Sequence, residues 1–390
     1  MWRYQKTANI GIYTDDKKEI VMNKYDIAAI IWPAYTGDEP RTRIFWPEGY
    51  GEWQTVKAAQ PRYPGHQWPR KPVWGYVNEA DPYVMEMEIN AAADHGVNVF
   101  IYDWYWFDNR PFLEQCLDNG FLKARNCDRM KFYLMWANHT ADSMWDTRTS
   151  HYWDPIWDGA VNRETFNTIV NRTIEKYFSR PNYYKIDGKP VYMLFDIMNL
   201  VRGLGGVEET WDALNYFREQ TVKAGFPGLE LHLTVRRDSH MEQKIDEKSG
   251  MTVLEFINKT GFDGVTHYGF LDFVNVKQNY ADVLVDVEKG YKKTAEQVNS
   301  IYYPNVSMGW DTTPRYPHRE DDNICTETTP ENIKKGFELA KKYVDETKGL
   351  KAPLIIVNSW NEWTEGTYIQ PDNINGYGYL KALKEVFLDK

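Results

Sequence analysis

Residues 353–366 read PLIIVNSWNEWTEG. The run PLIIV is continuously apolar rather than alternating. That pattern suits a strand buried on both faces, as in a parallel sheet. Polar and aromatic residues crowd its carboxyl end, and a glycine closes the stretch. Seven more runs share this form: YDIAAIIWPAY (25–35), VNVFIYDWYW (97–106), KFYLMWAN (131–138), PVYMLFD (190–196), LELHLTV (229–235), FDGVTHYGF (262–270) and NVSMGWD (305–311).

Helical patterns fall between the runs. DPYVMEMEINAAADHG (81–96) offers Asp81 as N-cap, Pro82 in the first turn and Gly96 as stop. TPENIKKGFELAKKYVDE (329–346) repeats the device with Thr329 and Pro330. Further helices are expected near 111–125, 162–178 and 208–224, and YLKALKEVFLDK (379–390) ends the chain. Eight β runs alternating with helices predict a (β/α)8 TIM barrel. It is expected as a single domain over 24–390 with long βα loops, after a lead-in over 1–23. Residues 36–80 form a long loop after the first strand, a length that is usually functional in a compact domain. A doubly wound open sheet is the other fold with this alternation, but its Gly-rich phosphate fingerprint is missing.

Composition narrows the partners. A formal net charge of -10 argues against nucleic acid, which needs a basic face. The longest apolar run, near IAAII, is too short to span a membrane. No signal peptide is visible; a removed leader would favour a periplasmic or cell-surface location. Cys116, Cys127 and Cys325 have neither CxxC nor zinc spacing and read as buried thiols. No metal-ligand motif such as H-E-x-x-H occurs, so no metal and no cofactor are expected. The 16 Trp and 27 Tyr exceed the needs of ordinary packing. Such rings are apolar with a polar handle, complementary to the C–H faces and hydroxyls of a sugar.

In a barrel of this kind the site lies at the carboxyl ends of the strands. Trp32 and Tyr35 follow the first run, and Asp103, Trp104 and Tyr105 the second. Trp136 and Asn138 close the third, Asp196 the fourth, His267 and Tyr268 the sixth. Trp310, Asp311 and Arg315 follow the seventh; Trp360, Asn361, Glu362, Trp363 and Glu365 the eighth. His66 lies in the long first loop. This grouping predicts a glycan cleft.

Glycosidic bonds break through an oxocarbenium-like transition state that needs an acid for the leaving oxygen and a base or nucleophile. Glu362 and Glu365 are the candidate pair, with Trp360 and Trp363 as a water-excluding wall that raises one pKa. The competing reading is that one glutamate caps a helix or pairs with Arg315. Catalysis requires the pair to converge on one hollow at the barrel rim; glutamates turned into solvent or locked by an arginine would defeat it.

VNSWNEWTEGTYIQPD (357–372) resembles the carboxyl-terminal signature of glycoside hydrolase family 99-like proteins, including the WbsX-like group. GYGEWQTVKAAQPRYPGHQWPR (49–70), YDWYWF, MWAN followed by MWD, and GWDTTPR agree in the family's order, from about residue 25 to 385. The resemblance implies a (β/α)8 barrel acting on α-linked sugars such as endo-α-mannosides. It implies Glu362 as base and Glu365 as general acid. In the mannosidase branch the base deprotonates the sugar 2-hydroxyl, which attacks its own anomeric carbon to give a 1,2-anhydro sugar with net retention. The WbsX-like pattern usually continues WAN with Glu; here His139 stands there and is expected at the cleft.

The remaining residues have two readings each. His267 and Tyr268 contact a hydroxyl or form a core pair; Asp103 and Asp196 accept sugar hydroxyls or make ion pairs. Asp311 and Arg315 are expected as a loop-shaping salt bridge, and Arg236 and Arg237 as solvated or paired. The glycosyltransferase and catalytically silent glycan-binding alternatives share the aromatic cleft. No Asp-x-Asp triplet or phosphate loop supports a nucleotide-sugar donor.

Overall fold

The computed structural model describes residues 24–142, 145, 155–317 and 323–389. The expected lead-in over 1–23 lies outside them. Nine parallel strands form the main sheet: β1 (Asp26–Ile31), β2 (Val99–Phe107), β3 (Lys131–Trp136), β4 (Lys189–Leu194), β5 (Glu230–Val235), β6 (Gly264–His267), β7 (Ile301–Tyr302), β8 (Asn305–Ser307) and β9 (Leu354–Asn358). Their order is β7-β6-β5-β4-β3-β2-β1-β9-β8.

β7 and β8 are one barrel position interrupted at Pro304, which cannot donate to a ladder. β7 pairs with β6 and β8 with β9. Tyr303 N–H donates to the Val265 carbonyl at 2.9 Å and Ile356 N–H to the Pro304 carbonyl at 3.0 Å. Both neighbours are therefore joined and the barrel closes. The seventh strand begins earlier than its expected start at 305. Pro304 masks the first half of that strand in the sequence.

The helices are α1 (Trp53–Ala58), α2 (Pro82–His95), α3 (Arg163–Thr173), α4 (Ile197–Leu204), α5 (Val207–Lys223), α6 (Val253–Thr260), α7 (Tyr280–Gln297), α8 (Pro330–Glu346) and α9 (Gly378–Phe387). α2 has the expected ends: the Asp81 side chain accepts from Tyr83 N–H, and Gly96 is left-handed. Thr329 caps α8 as expected. The helix expected at 111–125 is instead a π turn, Cys116–Gly120, running into a 3-10 turn, Phe121–Lys123. Gly120 lies so close to the Glu79 carbonyl that a Cβ there would stand 2.1 Å from the oxygen. The tail of the long first loop thus packs directly against this turn.

All nine residues of β2 are buried, as are five of six in β1 and all of β9. This matches the continuous apolar runs. Among the described residues no helix is long and apolar enough to cross a membrane.

Candidate active site

The chain leaves β9 and turns twice within eight residues. Asn361–Glu362 pairs antiparallel with Thr367–Tyr368, and a 3-10 turn, Trp363–Glu365, joins them. Ser359 holds this turn: its Oγ accepts Glu362 N–H at 2.7 Å and donates to the Thr367 carbonyl at 2.7 Å. Gly366, at φ 64°, ends it. A Cβ there would meet the Asp311 Cβ at 2.9 Å, so only glycine lets Asp311 N–H reach the Glu365 carbonyl at 2.7 Å.

Both glutamates face one buried cluster centred on Arg315. Its Nη2 donates to Glu362 Oε1 at 2.8 Å, its Nη1 to Glu365 Oε1 at 2.5 Å, and its Nε to Glu52 Oε1 at 3.2 Å. The expected salt bridge to Asp311 is not made. Asp311 instead accepts from His66 Nε2 at 2.8 Å, Trp68 Nε1 at 2.6 Å and Thr313 Oγ1 at 2.8 Å. Glu52 was not singled out in the sequence. It sits on the long loop, returned to the end of β1 by Gly51 at φ 67°, where a Cβ would lie 1.9 Å from the Ala34 carbonyl oxygen. Glu52 also accepts from Trp32 Nε1 at 2.5 Å, Tyr35 OH at 3.3 Å and Thr364 Oγ1 at 2.9 Å.

The pair meets at the carboxyl end of the barrel, but an arginine binds both members. By the criterion set from the sequence, that contact counts against catalysis. Charge balance weighs the other way. One guanidinium faces three carboxyls, and Asp103 adds a fourth through Tyr268. Burial raises Glu365 to about 8, the Glu362 charge adding to it and Arg315 opposing. Burial also raises Glu362, against the pull of Arg315. Burial first, then the Glu362 charge, raises Asp103 well above the carboxylate range. One cation does not keep all these groups ionised near pH 7.

The two glutamates differ in their donors. Glu362 accepts from Arg315 and, through Oε2, from Tyr268 OH at 2.8 Å. Glu365 Oε2 is buried without a hydrogen-bond partner, and so is Asp103 Oδ1. Donors to a carboxylate favour its ionised form; an oxygen with none suits a carboxylic acid.

Strand alternation sorts the other candidates. On β2, Asp103 and Tyr105 point to the cluster: Tyr105 packs on Trp32 at 5.7 Å, and Tyr268 OH lies 3.4 Å from Asp103 Oδ2. Trp104 points the other way, donating to Glu114 at 2.8 Å. Trp136 likewise packs outward on Phe166 of α3. Neither lines the cleft. Trp32 and Tyr35 lie in the cluster, and His66 joins its edge through Asp311.

The tryptophan wall is not formed. Trp360 donates to Glu88 at 2.8 Å, and Trp363 stacks on Tyr368 at 3.7 Å and donates to Gln370. Trp145 packs on two rings of the cluster, Trp32 at 5.4 Å and Tyr105 at 5.8 Å. His267 and Tyr268 separate: His267 is a core residue between Tyr302 OH, at 3.0 Å, and Asp238. Asn138 and Asn361 tie strand ends together. Asn138 bonds both backbone groups of Asp196 at 2.8 Å, and Asn361 those of Trp32 at 2.7 and 2.9 Å. Trp310 is half-buried and offers its carbonyl to Cys325. His139 sits among Tyr105, Trp145 and Phe195, and burial lowers its pKa to about 4, so it is neutral at pH 7. Asp196 caps α4 through Asn199 N–H at 2.9 Å. It also lines a groove of about 600 Å³ that opens beside Met198, Arg202 and Lys248.

Strands, helices and closure together define a (β/α)8 barrel. Solved structures similar to this chain agree. A glycoside hydrolase-like protein superposes with TM-score 0.62 at 18% identity, covering 94% of each chain. The GH99 endo-alpha-mannosidase from Bacteroides thetaiotaomicron, in complex with Bis-Tris-propane, superposes with TM-score 0.60 at 14% identity, covering 93% of this chain and 95% of that one. The chain belongs to the WbsX family, whose model, described as Glycosyltransferase WbsX, matches residues 28–383. Uncharacterized protein WxcX from two strains of Xanthomonas campestris pv. campestris is 23% identical over 350 residues, 89% of this chain. The chain spans about half the length of those curated relatives, 47%.

Proposed function

We propose that this chain is a glycoside hydrolase that cleaves an α-linked glycan with retention. The observation that carries the reading is the unequal treatment of two glutamates on one guanidinium: Glu362 holds two donors, and Glu365 keeps a free buried oxygen. Glu365, raised to about 8, is protonated at pH 7 and serves as general acid. Glu362 serves as base. It takes the proton of the sugar 2-hydroxyl as that oxygen attacks the anomeric carbon, while Glu365 protonates the departing glycosidic oxygen. Water then opens the 1,2-anhydro ring at the anomeric carbon. Its proton returns to Glu365, and the 2-oxygen recovers one from Glu362. The intramolecular nucleophile needs no approach, which lowers the entropic part of the barrier. The likeness to GH99 enzymes supports this reading over others for the fold.

One observation favours a second reading, a glycan-binding protein or a transferase without this hydrolytic step. Arg315 occupies the position between the two carboxyls. The family's transferase name points the same way. Both readings are separated by incubating the chain with complex α-linked oligosaccharides and reading products by mass. Hydrolysis should fall about a hundredfold or more in Glu365→Gln and in Glu362→Gln. Full activity in both variants, or no hydrolysis by the parent, rejects the hydrolase.

A further inference from the structure

Arg236 stands immediately after β5, at the same end of the barrel as the acid pair. Its guanidinium lies 4.3 Å over the ring of Phe195, the residue just beyond β4. The side chain is half-buried. Among the described residues no carboxylate stands within salt-bridge distance of it, so of the two expected states it is not the ion-paired one.

The neighbouring charges are satisfied. Arg202 holds Asp158 at 2.5 Å. Lys248 is 3.7 Å from Glu209. Asp246 accepts the N–H groups of Val207 and Ser249 at 3.0 and 2.6 Å. Asp272 accepts those of Tyr268 and Gly269 at 3.1 Å each. Asp196 is committed to the cap of α4. His240 is held towards its neutral form by burial and by Arg237 and Arg236.

Arg236 lines a small cavity of about 120 Å³ that shares Asp196 and Met198 with the 600 Å³ groove. Phe195 meets Tyr268 edge-on at 5.3 Å, and Tyr268 bonds Glu362. The small cavity therefore adjoins the groove, and packed side chains link the arginine to the acid pair. A guanidinium stacked on an aromatic ring is held in place while its fork of donors stays open, the arrangement that recognises a planar or tetrahedral anion.

We propose that the groove takes a glycan bearing an acidic substituent, a carboxylate or a sulfate ester, and that Arg236 binds that group. The inference rests on the reading of this face as glycan-binding. The chain carries a net charge of -10, so its overall field repels such a ligand and recognition must be local.

The test is calorimetric binding by the Glu365→Gln chain. The probes are uronate-containing oligosaccharides before and after carboxyl reduction, and sulfated oligosaccharides before and after desulfation. One charged member should bind about tenfold tighter than its neutral counterpart, the size of a charge-assisted pair. Which pair shows the preference identifies the anion. Arg236→Gln should bring that ratio near one, and Arg236→Lys should keep part of it. Lys334→Gln, on α8 and paired with Glu385, should leave it unchanged. Equal binding of charged and neutral members, no binding of any, or a ratio untouched by Arg236→Gln overturns the proposal. Charge-selective binding with no turnover by the unmutated chain would overturn the hydrolase and leave this inference standing.

Discussion

Two groups of buried carboxyls lie close together in this barrel. The upper one, Glu52, Glu362 and Glu365, surrounds Arg315. The lower one, Glu79 and Glu88, has amide and indole donors. Asn361 Nδ2 reaches both oxygens of Glu79, at 3.0 and 2.9 Å, and Trp360 and Gln370 reach Glu88, at 2.8 and 3.1 Å. Burial raises both lower acids, Glu88 to about 7 and Glu79 well above its usual range. The lower pair is a hydrogen-bonding brace under the Asn361–Glu365 turn, with burial favouring the protonated form of both acids. The upper group mixes a cation with more acids than it can balance, and burial raises Glu365 to about 8. A buried carboxyl therefore signals function only when its neighbours hold the members of the group apart in protonation.

Removing the arginine should abolish that difference most sharply. Arg315→Met leaves three carboxyls buried without a cation, a change that costs about 3–5 kcal/mol. For a chain of this length that is about 5 °C in Tm. The acids can protonate to relieve the loss, so the deficit should be larger at pH 8 than at pH 5. Calorimetry at both values measures it; a deficit equal at both, or none, would show that Arg315 does not hold the cluster together.

The sequence carried the barrel because both sides of each strand are buried, which writes continuous apolar runs such as that of β9. It carried the acid pair because the turn after that strand is local. What it hid was long-range. Nothing in the run around Glu52 marks it as the third arm of Arg315, 263 residues away. The stretches GYGEWQTVK and GWDTTPR carried the resemblance but not their mutual contact. Position at a strand end alone puts Trp104 and Trp136 in the cleft, whereas the two-residue alternation turns them outward; Trp360, in the bend after β9, turns to Glu88. Helix α7 carries equally local signals: Asn279 caps it, and Tyr280, Val283, Leu284, Val287 and Tyr291 share one buried face.

The lower pair offers the next test. Glu88 has its folded pKa raised from 4.5 to about 7, so folding holds its proton. That contribution is complete below about 4.5 and is lost as pH rises through 7. Its size is on the order of 3 kcal/mol. Glu88→Gln keeps an acceptor for Trp360 but cannot titrate. Between pH 5 and pH 8 the unmutated chain should lose more of its urea midpoint than Glu88→Gln does. Identical losses would mean that Glu88 does not release a proton near pH 7 in the folded chain.

The finest distinction lies within the upper group, in the single hydroxyl that sets Glu362 apart from Glu365. Tyr268→Phe removes the donor 2.8 Å from Glu362 Oε2 and leaves Arg315 in place. Losing a hydrogen bond to a charged acceptor disfavours the carboxylate by about 1.5 kcal/mol, near one pKa unit. The base must be ionised to act, so the acid limb of kcat/KM against pH should move upward by that amount. The basic limb, set by protonated Glu365 near 8, should stay within a few tenths of a unit. A shift confined to the acid limb assigns the base to Glu362. A shift of the basic limb alone would exchange the roles of the two glutamates, and a profile unchanged in shape would leave Tyr268 as packing against Phe195 and nothing more.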